Sequence, residues 1–209
     1  KKVLTVGSSL DQAYNALLLG AKNIVVYDIN ENVKQFGKLK RKLILTTPRK
    51  KLYDEVLKIE EVPLSKDVLK DDESYETLRR KLKEENRIRY ITGDLTQVNN
   101  LDRELFDIII TSNVFQNIAC FIGSSNPYTK LKEIFDLLKE HLTEEGILQL
   151  LYYYSFDSSD LNNKEYDSTL RNVRQVYEAL QSNNLFLTTF KGITKKNDAI
   201  LTYQKTRKW

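Results

Sequence analysis

The chain has 209 residues, 41% hydrophobic and 30% charged, with 33 Lys+Arg against 29 Asp+Glu and a net charge of +4. That length and composition describe a single globular domain, 1–209, with ample core, and exclude a disordered or low-complexity protein. A lone cysteine, Cys120, excludes an internal disulfide framework and a cysteine metal cluster; no metal site is expected, and no apolar run is long enough for a membrane span. With no signal peptide, the cytoplasm is the default location. The sequence contains no methionine and its first strand begins almost at once, so a natural segment is expected ahead of Lys1.

The first thirty residues organise the rest. Val3 to Val6 is a β-rich run ending at Gly7, and Leu10 to Ala21 reads as a helix with Leu10, Ala13, Leu17 and Leu18 on one side. Ile24 to Tyr27 is a second apolar strand closed by Asp28. A strand, tight turn, helix and parallel strand in so short a span open a doubly wound sheet. Gly7 lets the chain turn sharply and a ligand approach the backbone. Ser8 or Ser9 is placed to cap the helix, whose first N–H groups would face that ligand. Asp28 follows Gly7 by 21 positions (28 − 7), where a carboxylate accepts hydrogen bonds from the two hydroxyls of a ribose. The plain structural alternative is a glycine turn with Asp28 as a helix cap.

A helix is expected from Glu31 to about Leu45, with Val33, Phe36, Leu39, Leu43 and Ile44 on one face and Thr46-Thr47-Pro48 as its stop. Residues 49–72 read as an insertion, and Ser74 as the cap of a helix to about Glu85 carrying Tyr75, Leu78 and Leu82. Ile88 to Thr92 is a third strand leading into Gly93-Asp94-Leu95. Phe106 to Ile110 is a fourth, apolar enough for burial on both faces, and it runs into Thr111-Ser112-Asn113. A helix from Tyr128 to Leu142 turns Leu131, Ile134, Phe135 and Leu138 inward; Thr143 to Gly146 is a turn, and Ile147 to Tyr154 the fifth strand. Lys164 to Ser182 has a clear helical apolar period. Leu185 to Phe190 and Ala199 to Tyr203 are joined too closely for a helical crossover, so they form an antiparallel hairpin.

With these elements in order, nearly the whole chain resembles the class I S-adenosylmethionine-dependent methyltransferases. Val6-Gly7-Ser8-Ser9 stands where that family has its glycine-rich first motif; Asp28 matches the ribose-holding acid and Ile29 the residue beside the adenine. Gly93-Asp94-Leu95 resembles the adenine-contacting motif. Phe106 to Asn113 resembles the fourth-strand motif, whose end, with Ser112 and Asn113, faces cofactor and acceptor. Leu137 to Leu148 resembles the helix and turn before the fifth strand, and the final hairpin is the family's topological mark. The resemblance implies an α/β, doubly wound, mostly parallel seven-stranded Rossmann-like sheet with a C-terminal antiparallel hairpin. It also implies S-adenosylmethionine as cofactor. The family has more glycines at its first turn; here Gly7 stands with Ser8, Ser9, Asp11 and Gln12, and Asp11 is placed to meet the cofactor's amino group. That turn, with Tyr27-Asp28-Ile29-Asn30, also resembles 3-amino-3-carboxypropyl transferases, which use the same cofactor; Leu39-Lys40 adds to that likeness.

Methyl transfer needs positioning more than acid–base chemistry, because the sulfonium is already activated. No catalytic side chain is assigned. Thr111 to Asn113 is the candidate acceptor wall. Tyr152 to Tyr154, with Asp157, read as alternating core and surface tyrosines, or else as an aromatic pocket. His141 reads as a helix-end contact, and Cys120 as a buried thiol. The basic clusters Lys38 to Lys42, Arg49 to Lys51 and Arg79 to Lys83 each read as a solvated helix face, which disfavours nucleic acid as a partner. A small-molecule or lipid acceptor is expected, and the sequence sets no oligomeric state. Two other classes stay open. One is a nicotinamide-dependent oxidoreductase, disfavoured by the absence of G-x-G-x-x-G; the other is a catalytically silent module that keeps the fold.

Overall fold

A computed structural model describes residues 1–7, 10–52, 71–84, 87–95, 101–112, 114, 127–152, 180, 186–192 and 199–205. They fall into two compact units, Lys1–Gly93 and Asp94–Trp209. The strands make a mostly parallel, seven-stranded Rossmann-like sheet ending in an antiparallel hairpin, the fold class expected.

The first unit alternates β1 (Lys2–Val6), α1 (Leu10–Leu18), β2 (Asn23–Asp28), α2 (Val33–Thr46), α3 (Asp72–Lys83) and β3 (Ile88–Thr92). Its strands run parallel in the order β3-β2-β1, with Val6 opposite Tyr27 and Asp28 opposite Thr92. The apolar runs of β1 and β2 are buried almost throughout, as parallel strands covered on both faces require. β3 ends the strand order and is only half covered.

Helix α1 stops at Leu18, three residues short of the expected Ala21. Gly20 adopts φ +97°, its N–H donates to Leu17 O, and the N–H of Ala21 donates to Ala16 O. This is the paired bonding of a Schellman ending, which needs a left-handed residue at that point. Helix α2 starts at Val33 rather than Glu31, because its approach is held by side chains: Asp28 Oδ1 accepts the Asn30 N–H at 2.8 Å, and Asn30 Oδ1 accepts the Asn32 N–H at 2.9 Å. The buried stripe of α2 also differs from the expected one. It comprises Val33, Gly37, Lys40 and Ile44, while Phe36, Leu39 and Leu43 are half-exposed. The N-cap of α3 is Asp71, not Ser74: its carboxylate accepts the Ser74 N–H at 2.7 Å, and Asp is among the strongest capping residues.

Both α1 and α2 pack on α3, and α3 supplies cations to their open ends. Lys81 Nζ donates to the carbonyls of Leu17 (2.6 Å) and Leu18 (3.0 Å), and Arg79 Nη2 donates to Leu45 O (2.9 Å). A positive charge at a helix C-terminus satisfies free carbonyls and opposes the dipole. The buried Tyr75 hydroxyl reaches the Ile44 carbonyl at 2.9 Å and that of Thr47. Thr47 is extended, as a residue before proline prefers, so α2 ends where expected.

The second unit contains β4 (Phe106–Ser112), α4 (Pro127–Glu140), β5 (Leu142–Tyr152), β6 (Phe186–Gly192) and β7 (Ala199–Gln204), with strand order β4-β5-β7-β6. β4 and β5 are parallel, and β7 is antiparallel to both β5 and β6. The expected inward residues of α4, Leu131, Ile134, Phe135 and Leu138, are all buried. β4 is less covered than expected, with Ile108 and Ile110 half-buried. β5 begins earlier than Ile147, yet the expected turn is visible in its register. Phe106 faces Leu142 and Ile108 faces Ile147, so Thr143–Gly146 stand against Asp107 alone. A Cβ on Gly146 would lie 2.9 Å from the Thr143 carbonyl oxygen, which explains glycine there. The expected helix at Lys164 to Ser182 (apart from Leu180), most of the insertion, Cys120, Tyr153, Tyr154 and Asp157 lie outside the described residues.

Candidate functional site

The carboxyl ends of the three parallel strands of the first unit are tied together by backbone bonds. Gly7, at φ +79°, donates its N–H to Tyr27 O at 3.0 Å, extending the β1–β2 pairing one step before the chain turns away. A side chain at that φ would be strained, which is the physical requirement for glycine there. On the other side of β2, the Gly93 N–H donates to Asp28 O at 2.9 Å. Gly7, Asp28 and Gly93 therefore lie side by side on the edge where open α/β sheets bind ligands.

Asp28 is 4% exposed. Its bond to Asn30 fixes the carboxylate orientation through an Asx turn, so the helix-cap alternative does not describe it. The next residue, Ile29, is 73% exposed, an apolar side chain presented to solvent beside a buried acid.

Asp11 lies in the first turn of α1. One of its oxygens accepts from Lys40 Nζ at 3.5 Å, and Lys40 is only 3% exposed. Burial pulls the Lys40 ammonium below its ordinary pKa, while the Asp11 carboxylate opposes that shift. Two phenols belong to the same surroundings. Burial, with Tyr90 nearby, pushes the Tyr14 hydroxyl well above its usual range, and burial raises Tyr90 to about 12. Tyr14 lacks a hydrogen bond of good geometry among the described residues. Gly37 makes room for the second ring: a Cβ there would lie 2.2 Å from Tyr90 Cζ.

Of the remaining expected site residues, Asp94 and Leu95 open the second unit, Asp94 exposed and Leu95 buried, and Ser112 ends β4. Ser8, Ser9 and Asn113 lie outside the described residues. The Asp11–Lys40 pair was not legible as a pair, because its members sit 29 positions apart on different helices. A signal did exist, in the buried spacing Val33, Gly37, Lys40, Ile44, but a glycine and a lysine hide it from an apolar count. His141 follows the last residue of α4, and its Nδ1 donates to the Glu104 carbonyl at 2.8 Å, a structural tie. Among the described residues no three His, Cys, Asp or Glu side chains converge on a metal site, and no helix is long and apolar enough to cross a membrane.

Parallel strands with a glycine turn after β1, an acid closing β2 and a final antiparallel strand inserted beside β5 define the fold of the class I S-adenosylmethionine-dependent methyltransferases. Solved structures share it. An S-adenosylmethionine-dependent methyltransferase from Methanosarcina mazei aligns with TM-score 0.57 and 10% identity, over 98% of this chain and 92% of that one. A methyltransferase described as putative, from Listeria monocytogenes, aligns with TM-score 0.57 and 12% identity, over 99% and 92%. Magnesium protoporphyrin IX methyltransferase from Synechocystis PCC 6803, with bound S-adenosylhomocysteine, aligns with TM-score 0.55 and 13% identity, over 98% and 74%. No protein-family model matches the chain, and no curated protein matches it. At such identities the likeness is one of fold.

Proposed function

We propose that this chain is an enzyme that binds S-adenosylmethionine at the carboxyl edge of β1, β2 and β3 and transfers its methyl group to an acceptor. The observation that carries the reading is Asp28: a buried acid at the end of β2, oriented by the Asn30 N–H, with Gly7 on one flank and Gly93 on the other. Those residues fit the cofactor. Gly7 leaves the backbone open to close approach, Asp28 is pre-oriented to accept ribose hydroxyls, and the exposed Ile29 offers an apolar surface to an adenine ring. Asp11, held by Lys40, is a carboxylate for the amino group of the amino-acid arm. When bound, the cofactor supplies an activated methyl on a sulfonium. What the chain must add is placement, and pre-ordered groups such as Asp28 and Asp11 provide it without a general base.

Asp28→Ala tests the reading. A charged hydrogen bond contributes about 1.5–3 kcal/mol, so calorimetry should show cofactor affinity falling about tenfold or more. Unchanged affinity in a folded variant would remove Asp28 from the site. The nucleoside product, read by mass after incubation with cofactor and a cell extract, decides the chemistry. S-adenosylhomocysteine supports methyl transfer; methylthioadenosine would overturn it in favour of carboxypropyl transfer.

A further inference from the structure

Asp11 already has a cation. Its Oδ1 accepts from Lys40 Nζ at 3.5 Å, and the two sides of the pair are unlike: the lysine side chain is 4% exposed and the aspartate side chain 24%. Solvent and ligands therefore reach the pair through the acid. Lys40 belongs to the buried stripe of α2, with Val33, Gly37 and Ile44, and burial works against its charge. The ionisable groups on the elements packed around it are few. On α1 they are Asp11 and, one turn on, Tyr14. On β3 they are the exposed Arg89 and Tyr90, whose ring is seated against Gly37. On α3, Arg79 and Lys81 are held by the carbonyls of Leu45, Leu17 and Leu18, and Glu76 pairs with Arg79. Next to Lys40 on α2, Arg41 donates its Nε–H to Leu82 O. Asp11 is the carboxylate that supports the Lys40 ammonium.

We propose that Lys40 is a resident counter-ion that the cofactor displaces: the ammonium of the amino-acid arm takes over the charge of Asp11, and Lys40 Nζ gives up one proton to the buffer. The inference rests on the reading of Asp11 as the partner of that ammonium. A carboxylate has lone pairs enough to accept from both nitrogens, so the two compete in charge rather than in space. One negative charge cannot neutralise two ammonium ions, and a second positive charge close by disfavours the charged form of a buried amine. The ligand's ammonium stands on the exposed side of Asp11, so Lys40 is the group that yields. A neutral Lys40 still has N–H groups to donate, and the acid stays anchored while its charge passes to the ligand. In the empty site the same lysine keeps the Asp11 carboxylate paired. Lys40 is thus a positioning residue, and it makes cofactor affinity rise with pH as its amine deprotonates.

The test is calorimetric titration with S-adenosylhomocysteine in buffers of different ionisation enthalpy, which counts the protons exchanged on binding. The pH is varied from about 7.5 to about 10.4, the span between ordinary α-amino and lysine pKa values. Wild type should release up to about one proton more than Lys40→Met; protons taken up by the ligand's own amino group enter both measurements and cancel. A circular dichroism spectrum checks that the variant is folded. The second comparison needs no variant: methylthioadenosine, which lacks the amino-acid arm, should bind wild type without the release that S-adenosylhomocysteine causes. Equal proton exchange by wild type and folded Lys40→Met across that span would overturn the proposal. So would the same release from wild type with both nucleosides, which would place its source away from Asp11. No binding of S-adenosylhomocysteine by wild type is a different result: it would remove the cofactor site itself, and this inference with it.

Discussion

Replacing Gly37 by alanine isolates one packing decision in the first unit. In an ordinary helix interior the change should stabilise by about 1 kcal/mol, because glycine gives up more backbone freedom on folding. Here the new methyl would stand 2.2 Å from Tyr90 Cζ and 2.4 Å from its Cε1 and hydroxyl oxygen. Carbon atoms rest about 3.5–4.0 Å apart, so the ring or the helix must shift by more than an ångström. Overpacking of that kind costs about 1–3 kcal/mol, which cancels or exceeds the helix gain. Urea unfolding should show a midpoint equal to or below that of wild type with an unchanged slope. The second arm of the cycle is decisive. In a Tyr90→Ala background the obstacle is gone, and Gly37→Ala should raise stability by about 1 kcal/mol. If Gly37→Ala stabilised the wild-type protein by as much as it does the Tyr90→Ala protein, the packing argument would be refuted.

Two further outcomes concern the buried polar groups. The phenols of Tyr14 and Tyr90 are raised by burial, Tyr90 to about 12 against an ordinary 10; the folded state keeps protons that the unfolded chain gives up. Their stabilising contribution is therefore complete below about pH 10 and lost as pH rises toward 12, and Tyr90→Phe should flatten that alkaline loss in urea midpoints measured at several pH values. For Asp11 and Lys40, removing the carboxylate leaves an ammonium buried with one partner fewer. Removing the ammonium leaves an acid that water partly reaches, since 24% of its side chain is exposed. Asp11→Ala should thus cost about 1–3 kcal/mol, and Lys40→Met, similar in volume and relieved of desolvation, should cost less. The reverse order in thermal unfolding would show that the pair is not what holds Lys40.

The parts of this fold that sequence reveals are those in which one side-chain property repeats. β1, β2 and α4 have uninterrupted apolar patterns, and their buried residues follow. The close connection between β6 and β7 allows only a hairpin, whatever the side chains. Gly7 and Asp28 were legible as site candidates from their place at strand ends. What sequence hides is pairing across distance and burial without hydrophobicity. Lys40 faces inward because Asp11 meets it there, and Gly37 because Tyr90 fills its place. Asp71 outranks Ser74 as a cap by geometry that both residue types could have satisfied. Arg87 and Arg89 come to line one groove with Lys34 and Lys38 only through the parallel return of β3 to β2.

The position of β7 has a consequence for how the second unit is made. Ala199–Gln204 lies between β5 and β6 in the sheet but after both in the chain. During synthesis β5 waits with one edge unpaired, and β6, whose neighbour in the strand order is β7 alone, waits with neither edge paired. Such edges are templates for pairing with the wrong strand, and partly made sheets with long-range pairings are where aggregation begins. The sheet closes cooperatively only when β7 is in place and satisfies two edges at once. A chain interrupted shortly before Ala199 would therefore not lose one strand from a margin; it would expose the edge of β5 and leave β6 without a partner strand, and its expected fate is self-association rather than a slightly smaller domain.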